Sequence, residues 1–251
     1  MLSLPPAVAL VLAISASAGC QTELGEEEWE TETLEAVCER AEGAAQSCLG
    51  DQAVLFEECI AMDDTESHRA AMAALADSSC NAPDSELEDS PKMRFVSACA
   101  MAVESARLLS RLRHGSGSAL GTTRKQLLRP FYGSLVDRVR IHYDARPITE
   151  WRVLGRTIRV GMEVGGQALG YDVYVMRPKN LSDSDQTETV AHELQHVAQF
   201  EEAGVSWGFA VRYCGALWDS DFSYRSNALE VEARDQAEAI ASCLESPGSC
   251  D

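Results

Sequence analysis

A pentapeptide in the last third of the chain has the residue types and spacing of a metal-binding motif. His192 and His196 are four residues apart and Glu193 follows the first histidine, which gives the pattern HExxH. On a helix, positions i and i+4 share one face, so both imidazoles can bind a single zinc ion. The Glu193 carboxylate lies beside them, where it can accept a proton from a metal-activated water. The pattern therefore predicts a zinc site with its own general base.

The residues around this motif predict a long amphipathic helix. An apolar stripe with helical spacing is formed by Val190, Leu194 and Val197. The polar cluster Ser182–Asp185 suits a helix N-terminus, with Glu188 three residues after Asp185 as a capping-box partner. Gly204 is placed to end the helix.

A catalytic zinc site needs a third protein ligand, and the helix-forming segment Asn227–Ile240 contains two candidates. Glu230 and Glu232 differ by about 200° around a helix, so only one of them can face the metal. Glu230 shares its face with the small residues Ala233 and Ala237, which would let this helix pack closely against the first. Glu232 shares its face with polar residues. We therefore expect Glu230 to be the ligand, with Glu232 as the alternative.

An oxyanion formed during hydrolysis needs a hydrogen-bond donor, and three candidates lie between the two helices. They are Tyr213, Tyr224 and Arg225. Tyr224, six residues before Glu230, is the first choice, and packing of the aromatic rings is the alternative role.

Two segments before the motif predict short strands. Arg156–Met162 and Tyr171–Met176 alternate and contain β-branched or aromatic residues, with three glycines between them. If Tyr171–Met176 is an edge strand, an extended substrate can pair with it, and an ordinary sheet strand is the alternative. Phe131–Tyr143 predicts a helix that leads into an extended piece.

The first half of the chain predicts a separate helical domain over residues 37–113, which are rich in Ala and Leu. Helical patterns occur at Ala53–Met62, Ser67–Ala76 and Met93–Arg113. A Gly/Ser-rich stretch at residues 114–123 predicts a linker, followed by a mixed domain over residues 124–251. The expected fold class is therefore α+β.

Nine cysteines are too many for ordinary core thiols and indicate an oxidising compartment. Without Cys20, five lie in the helical domain and three in the second domain. None has CxxC spacing, so disulfides that staple the helical domain are favoured over a cysteine metal site. Because five and three are odd, complete pairing requires a disulfide between the domains or a pair outside the chain.

The N-terminus has the features of an export signal. Its apolar run Ala7–Ile14 is too short to span a bilayer but suits a signal peptide. Ala16–Ala18 fits a signal-peptidase site before Gly19. Ser17–Cys20 instead resembles a bacterial lipobox, in which Cys20 becomes lipidated and the signal peptide covers residues 1–19. We expect an exported, lipid-anchored outer-membrane protein, with periplasmic or secreted forms as alternatives.

The charge distribution restricts the partners. A net charge of −19, from 21 basic and 40 acidic residues, argues against nucleic acid, which needs a basic face. The acidic residues 20–36 predict a solvated tether between the anchor and the fold. The expected partners are a protein or peptide substrate and the membrane, reached through the lipid.

The sequence HELQHVAQF, followed 34 residues after its second histidine by the ExEA of Glu230–Ala233, resembles the gluzincin metallopeptidases. More narrowly, residues 155–240 are similar to bacterial eCIS-core-type metallopeptidase domains, which combine a glycine-containing strand, an HELxHxxQ helix, an aromatic-rich stretch and an ExEA helix. Gln199 is the glutamine of that pattern. The resemblance implies a zincin-like domain in which both histidines and Glu230 bind zinc and Glu193 is the base.

One position departs from this resemblance. Related gluzincins often place Asp or Asn four residues after the glutamate ligand, where it hydrogen-bonds a ligand histidine, but this chain has Arg234. That hydrogen bond must therefore come from elsewhere. The expected function is hydrolysis of peptide bonds by a zinc-activated water with Glu193 as base. The alternative is a catalytically inactive lipoprotein of the same fold that acts as a binding module.

Overall fold

The computed structural model describes residues 33–49, 91–160, 165–180, 183–204 and 206–246. The chain divides into two compact units, the first comprising Met1–Arg113 with Glu150–Ile158 and the second His114–Thr149 with Arg159–Asp251. The predicted signal peptide, Cys20 and the predicted helices at Ala53–Met62 and Ser67–Ala76 lie outside the described residues.

The described secondary structure is mixed α+β, as predicted. The helices are α1 (Leu34–Leu49), α2 (Pro91–His114), α3 (Thr122–Tyr132), α4 (Leu135–Arg138), α5 (Ser184–Glu202), α6 (Ser206–Asp219), a 3-10 turn (Tyr224–Ser226) and α7 (Ala228–Glu245). The strands are β1 (Ser118–Ala119), β2 (Arg140–Tyr143), β3 (Glu150–Val153), β4 (Arg156–Arg159), β5 (Gly166–Leu169) and β6 (Asp172–Val175). No described helix combines the length and apolarity needed to cross a membrane.

The first unit contains α1, α2 and the β3–β4 hairpin. Helix α1 begins at Leu34, so the segment predicted as a tether ends earlier than residue 36. Helix α2 confirms the predicted helix at Met93–Arg113. The hairpin turns at Leu154 and Gly155, whose φ values are 47° and 75°. Two positive φ values are typical of two-residue turns whose backbone twist matches that of the flanking strands. Strand β4 confirms the beginning of the strand predicted from Arg156.

The second unit is built on a four-stranded sheet with the order β1-β2-β6-β5. Strands β2 and β6 are parallel, and the two outer pairs are antiparallel. Ile141 lies opposite Val173, and both belong to a core cluster that includes Val190, Leu194 and Val197 of α5. The apolar stripe predicted for the motif helix therefore packs on the sheet.

Three sequence predictions need correction in this unit. Residues 114–123 were expected to be a linker, but they include β1 and the beginning of α3. The helix predicted from Phe131 is interrupted, because Gly133 adopts φ 54° and its N–H caps α3 at the Arg129 carbonyl. The predicted strand at Tyr171–Met176 is confirmed as β6, but it lies between β2 and β5 and is not an edge strand.

Strand β5, which the sequence did not predict as a strand, lies at one edge of the described sheet, and β1 lies at the other. The residues of β5, Gly166–Leu169, include glycine and alanine and lack the β-branched or aromatic side chains that indicate strands. It pairs antiparallel with β6, with Gly166 opposite Val175. Formation of β5 therefore depends more on its pairing with β6 than on the strand preference of its own residues.

The N-terminus of α5 also differs in detail from the prediction. Asp183 is the N-cap and accepts a hydrogen bond from the Gln186 backbone N–H, so the proposed capping box between Asp185 and Glu188 is wrong. The helix ends before Gly204, as predicted, and Gly204 has the left-handed φ of 77° typical of helix ends.

The cysteines support the predicted disulfide framework. Cys99 and Cys214 are disulfide-bonded. Cys38 and Cys243 are also disulfide-bonded.

Candidate metal centre

Three buried side chains bring their donor atoms together between α5 and α7. The Nε2 atoms of His192 and His196 are 3.2 Å apart, and each lies 3.3 Å from Oε2 of Glu230. The histidines lie one turn apart on α5, and Glu230 lies in the first turn of α7. The three donors thus form a nearly equilateral triangle that could hold a metal ion.

The size of this triangle fits zinc. Zinc lies about 2.0–2.2 Å from histidine nitrogen and carboxylate oxygen, so tetrahedral geometry places neighbouring donors roughly 3.3–3.5 Å apart. The observed separations of 3.2 and 3.3 Å match this spacing. Two imidazoles and one carboxylate also suit zinc better than calcium, which prefers six to eight oxygen ligands. Three protein donors leave a fourth position for water or substrate.

Glu232, the alternative ligand, lies on the opposite side of α7. It is exposed and accepts a hydrogen bond from Gln195 Nε2 at 2.8 Å. Glu230 is only 2 % exposed, and its small neighbours Ala233 and Ala237 are also buried. The helical rotation that separates the two glutamates therefore places Glu230, and not Glu232, with the histidines.

Two side chains, Gln199 and Tyr213, hold the donors in place through hydrogen bonds. Gln199 Oε1 lies 2.9 Å from Nδ1 of His196, and its Nε2 donates to the Leu229 carbonyl at 3.1 Å. The Tyr213 hydroxyl donates to Oε1 of Glu230 at 2.7 Å, which leaves Oε2 facing the imidazoles. These bonds support the ligand side chains in place of the Asp or Asn that related gluzincins often have where this chain has Arg234. Arg234 itself donates to the Arg225 carbonyl.

Glu193 is buried beside the metal donors and lies against β5. A Cβ atom built on Gly166 would lie only 2.8 Å from Glu193 Oε1, so the carboxylate occupies space that any larger residue would fill. The backbone of Ala168 also hydrogen-bonds this carboxylate. An edge strand of small residues therefore sets the position of the candidate general base.

Of the three candidate oxyanion donors, two reach the carboxylate ligand. Tyr213 is buried and bonded to Glu230 as described. Tyr224 lies in the 3-10 turn, also hydrogen-bonds Glu230 and lies within electrostatic range of Glu193. Arg225 is exposed. Both tyrosines therefore hydrogen-bond the carboxylate of Glu230, and the charges of Glu230 and Glu193 help to raise the pKa of each hydroxyl after burial, which is the main cause.

The electrostatics of the site favour a cation. Burial tends to lower the pKa of His196, but the negative charges of Glu230 and Glu193 outweigh it and raise the pKa to about 9. Burial opposes ionisation of Glu230, yet the charge of His196 and the hydrogen bonds from both imidazoles hold its pKa well below the usual value. Burial lowers the pKa of His192 and raises that of Glu193 to about 8. A positive charge at the imidazoles is therefore compensated by buried carboxylates.

No sequence pattern indicated the buried arginine that anchors the start of α5. Arg124 is fully buried and donates to the Tyr143 hydroxyl at 2.8 Å, the Asn180 carbonyl at 2.6 Å and Gln186 Oε1 at 2.8 Å. These acceptors are neutral oxygens, so no pattern of opposite charges in the sequence indicates that they contact Arg124. Nearer the motif, the Tyr132 hydroxyl donates to the Ala191 carbonyl at 2.7 Å. Both sets of bonds fix α5 relative to its neighbours.

Comparison with family models identifies part of this unit. Residues 119–204 match the eCIS core domain, which confirms that part of the predicted resemblance. The matched region contains both histidines of the motif and Glu193, but it ends before α6 and α7 and so excludes Glu230. The search of curated proteins and the search of solved structures each returned no match.

Proposed function

We propose that the protein is a zinc-dependent metallopeptidase with a zincin-like catalytic unit. The observation that carries the proposal is the buried triangle of two imidazoles and one carboxylate with zinc-compatible spacing. A fourth buried group, Glu193, lies beside the triangle. A purely structural metal site has no need of this additional carboxylate.

The proposed residue roles follow from position. His192, His196 and Glu230 would hold zinc, which when bound polarises the scissile carbonyl and activates water. Glu193 takes a proton from the attacking water and passes it to the leaving amine. Tyr224 is the proposed hydrogen-bond donor to the developing oxyanion, for which its hydroxyl must turn away from Glu230, its partner in this structure.

The edge of β5 opposite β6, where no described strand pairs, is the proposed binding place for the peptide. Met176 N–H donates to the Gly165 carbonyl, so the alternation of an antiparallel pair directs the backbone groups of Gly166 and Ala168 away from β6. Both residues contact Glu193. An extended peptide paired with this edge would therefore pass directly by the candidate base.

We further propose that the chain is exported and anchored through a lipid on Cys20. The apolar run and small residues before Cys20 support this proposal, and the disulfides fit an oxidising compartment. Mass spectrometry of the membrane fraction should find diacylglycerol on an N-terminal Cys20. Recovery of a soluble chain that begins at Gly19 would contradict lipidation and favour the signal-peptidase site.

The depth of the site favours a second candidate function. His192 is 1 % and Glu193 is 2 % exposed, so little of the site is accessible to a substrate in this arrangement. A catalytically inactive protein of this fold would bind partners through its surface and use any zinc for stability. This candidate predicts stoichiometric zinc without hydrolysis.

The experiment compares the wild-type protein with Glu193→Gln, and uses Glu232→Gln as a matched control on an exposed glutamate. Each protein is analysed for zinc per chain and incubated with fluorescein-labelled casein. The metallopeptidase proposal predicts one zinc in all three proteins, and cleavage by all except Glu193→Gln. Stoichiometric zinc with equal activity, or no activity, in wild type and Glu193→Gln would overturn it.

A further inference from the structure

We propose that Gln199 is a positioning residue that fixes which nitrogen of His196 faces the metal and couples that histidine to the helix carrying Glu230. The proposal rests on the zinc site proposed above. Gln199 lies on α5, one turn after His196, and is 1 % exposed. Its side chain bridges His196 Nδ1 and the Leu229 carbonyl, and Leu229 immediately precedes Glu230.

The orientation of the amide follows from the chemistry of Leu229. A backbone carbonyl only accepts hydrogen bonds, so the NH₂ group of Gln199 must face it, at the observed 3.1 Å. Oε1 is then the atom that faces His196, at 2.9 Å from Nδ1. Because this oxygen is also only an acceptor, Nδ1 must carry the hydrogen.

The consequence for metal binding lies at the other ring nitrogen. With a hydrogen held on Nδ1, only Nε2 can give up its hydrogen to a metal ion, and this nitrogen lies towards Glu230 Oε2 and the Nε2 of His192. A flipped amide would place its oxygen against the Leu229 carbonyl oxygen, two acceptors with no hydrogen between them. In a buried site no water competes for these contacts, so one arrangement is strongly favoured.

The two histidines are supported unequally. Within the described part of the chain, Nδ1 of His192 is buried without a hydrogen-bond partner. Gln199 therefore orients one imidazole through Nδ1, whereas His192 has a described partner only at Nε2. Loss of the Gln199 amide would leave both rings without a hydrogen bond at Nδ1 from a described residue, so its effect on the donor triangle should be measurable.

Two substitutions distinguish the hydrogen bond by which Gln199 orients His196 from the hydrogen bond that joins Gln199 to Leu229 of α7. Gln199→Met removes both hydrogen bonds at similar length, whereas Gln199→Glu keeps an oxygen acceptor for Nδ1. Gln195→Met is the matched control, because it removes another glutamine link between α5 and α7, at Glu232, without touching a donor. Zinc affinity is measured by chelator competition, and NMR of the metal-free proteins follows exchange protection of the His196 Nδ1 hydrogen.

The proposal predicts that Gln199→Met loses about 10- to 100-fold in zinc affinity, as expected for loss of an outer hydrogen bond to a ligand. It also predicts loss of the protected Nδ1 hydrogen, while Gln199→Glu and Gln195→Met retain that signal and bind zinc within about threefold of wild type. A Gln199→Met protein with wild-type affinity and a protected Nδ1 hydrogen would overturn the proposal.

The two readouts distinguish failure of this proposal from failure of the proposed function. If the wild-type protein binds no zinc, the metallopeptidase proposal fails, and protection of Nδ1 in wild type but not in Gln199→Met still supports the positioning role. If Gln199→Glu loses the Nδ1 signal and as much affinity as Gln199→Met, Gln199 only ties the helices together, and the orientation role is wrong.

Discussion

Replacement of Gly166 by alanine should displace the candidate general base while leaving the metal donors in place. The new Cβ would lie 2.8 Å from Oε1, 2.9 Å from Cγ and 3.2 Å from Cδ of Glu193. Ordinary contacts begin at 3.4 Å, so the closest pair must separate by at least 0.6 Å. Gly166 has no positive φ, which means that the clash, rather than backbone strain, determines the effect.

The size of the effect follows from the burial of Glu193. Its carboxylate is held against β5 by the Ala168 backbone and cannot move into solvent, since the residue is 2 % exposed. A misplacement approaching 1 Å can lower a catalytic rate by about 100-fold, so Gly166→Ala should lose roughly 10- to 100-fold in kcat/KM. Its zinc content should equal that of wild type, because the alanine side chain would contact the base and not a ligand.

The assay follows cleavage of fluorescein-labelled casein at low substrate concentration, with zinc per chain measured in the same preparations. Gly215→Ala is the control, because a Cβ there would meet nothing within 4 Å. Wild-type kcat/KM in Gly166→Ala would refute the assignment of Glu193 as the base. Loss of zinc together with activity would refute the claim that β5 positions only the base.

Four further predictions test other parts of the site. Glu230→Gln should abolish stoichiometric zinc binding while Glu232→Gln retains it, and equal affinities by chelator competition would contradict the ligand assignment. Tyr213→Phe should weaken zinc binding about tenfold by freeing Oε1 of Glu230, measured in the same way, and unchanged affinity would refute that role. Tyr224→Phe should retain zinc but lose about 100-fold in kcat, which would be disproved by wild-type turnover. Arg124→Met should lower the free energy of unfolding in urea by about 3 kcal/mol, because it leaves buried acceptors unpaired, and a change below about 1 kcal/mol would contradict this account.

The part of the site that depends on local helical spacing could be predicted from the sequence. The i, i+4 relation places His192 and His196 on one face, and the same rotation distinguishes Glu230 from Glu232. The predicted stripe on α5 packs on the sheet for the same reason. Each of these inferences needs only the geometry of one helix.

The features that the sequence did not predict depend on contacts between distant segments. Strand β5 contains few strand-forming residues and is defined by its pairing with β6, so the sequence did not indicate that β6 is an inner strand of the sheet. Gln199 was visible as part of a pattern, but its bridge to Leu229 requires the packing of α7 against α5. Arg124 reaches an acceptor 56 residues away in sequence, at Asn180.

X-ray absorption at the zinc edge tests the central claim most directly, because it reports the ligands of bound zinc. The proposed site predicts one zinc per chain with about four nitrogen or oxygen ligands at roughly 2.0–2.1 Å, including two imidazoles. It also predicts that Glu230→Gln removes this signal. Sulfur ligands at about 2.3 Å would instead assign the metal to cysteines, and, like the absence of bound zinc, would contradict the metal centre formed by His192, His196 and Glu230.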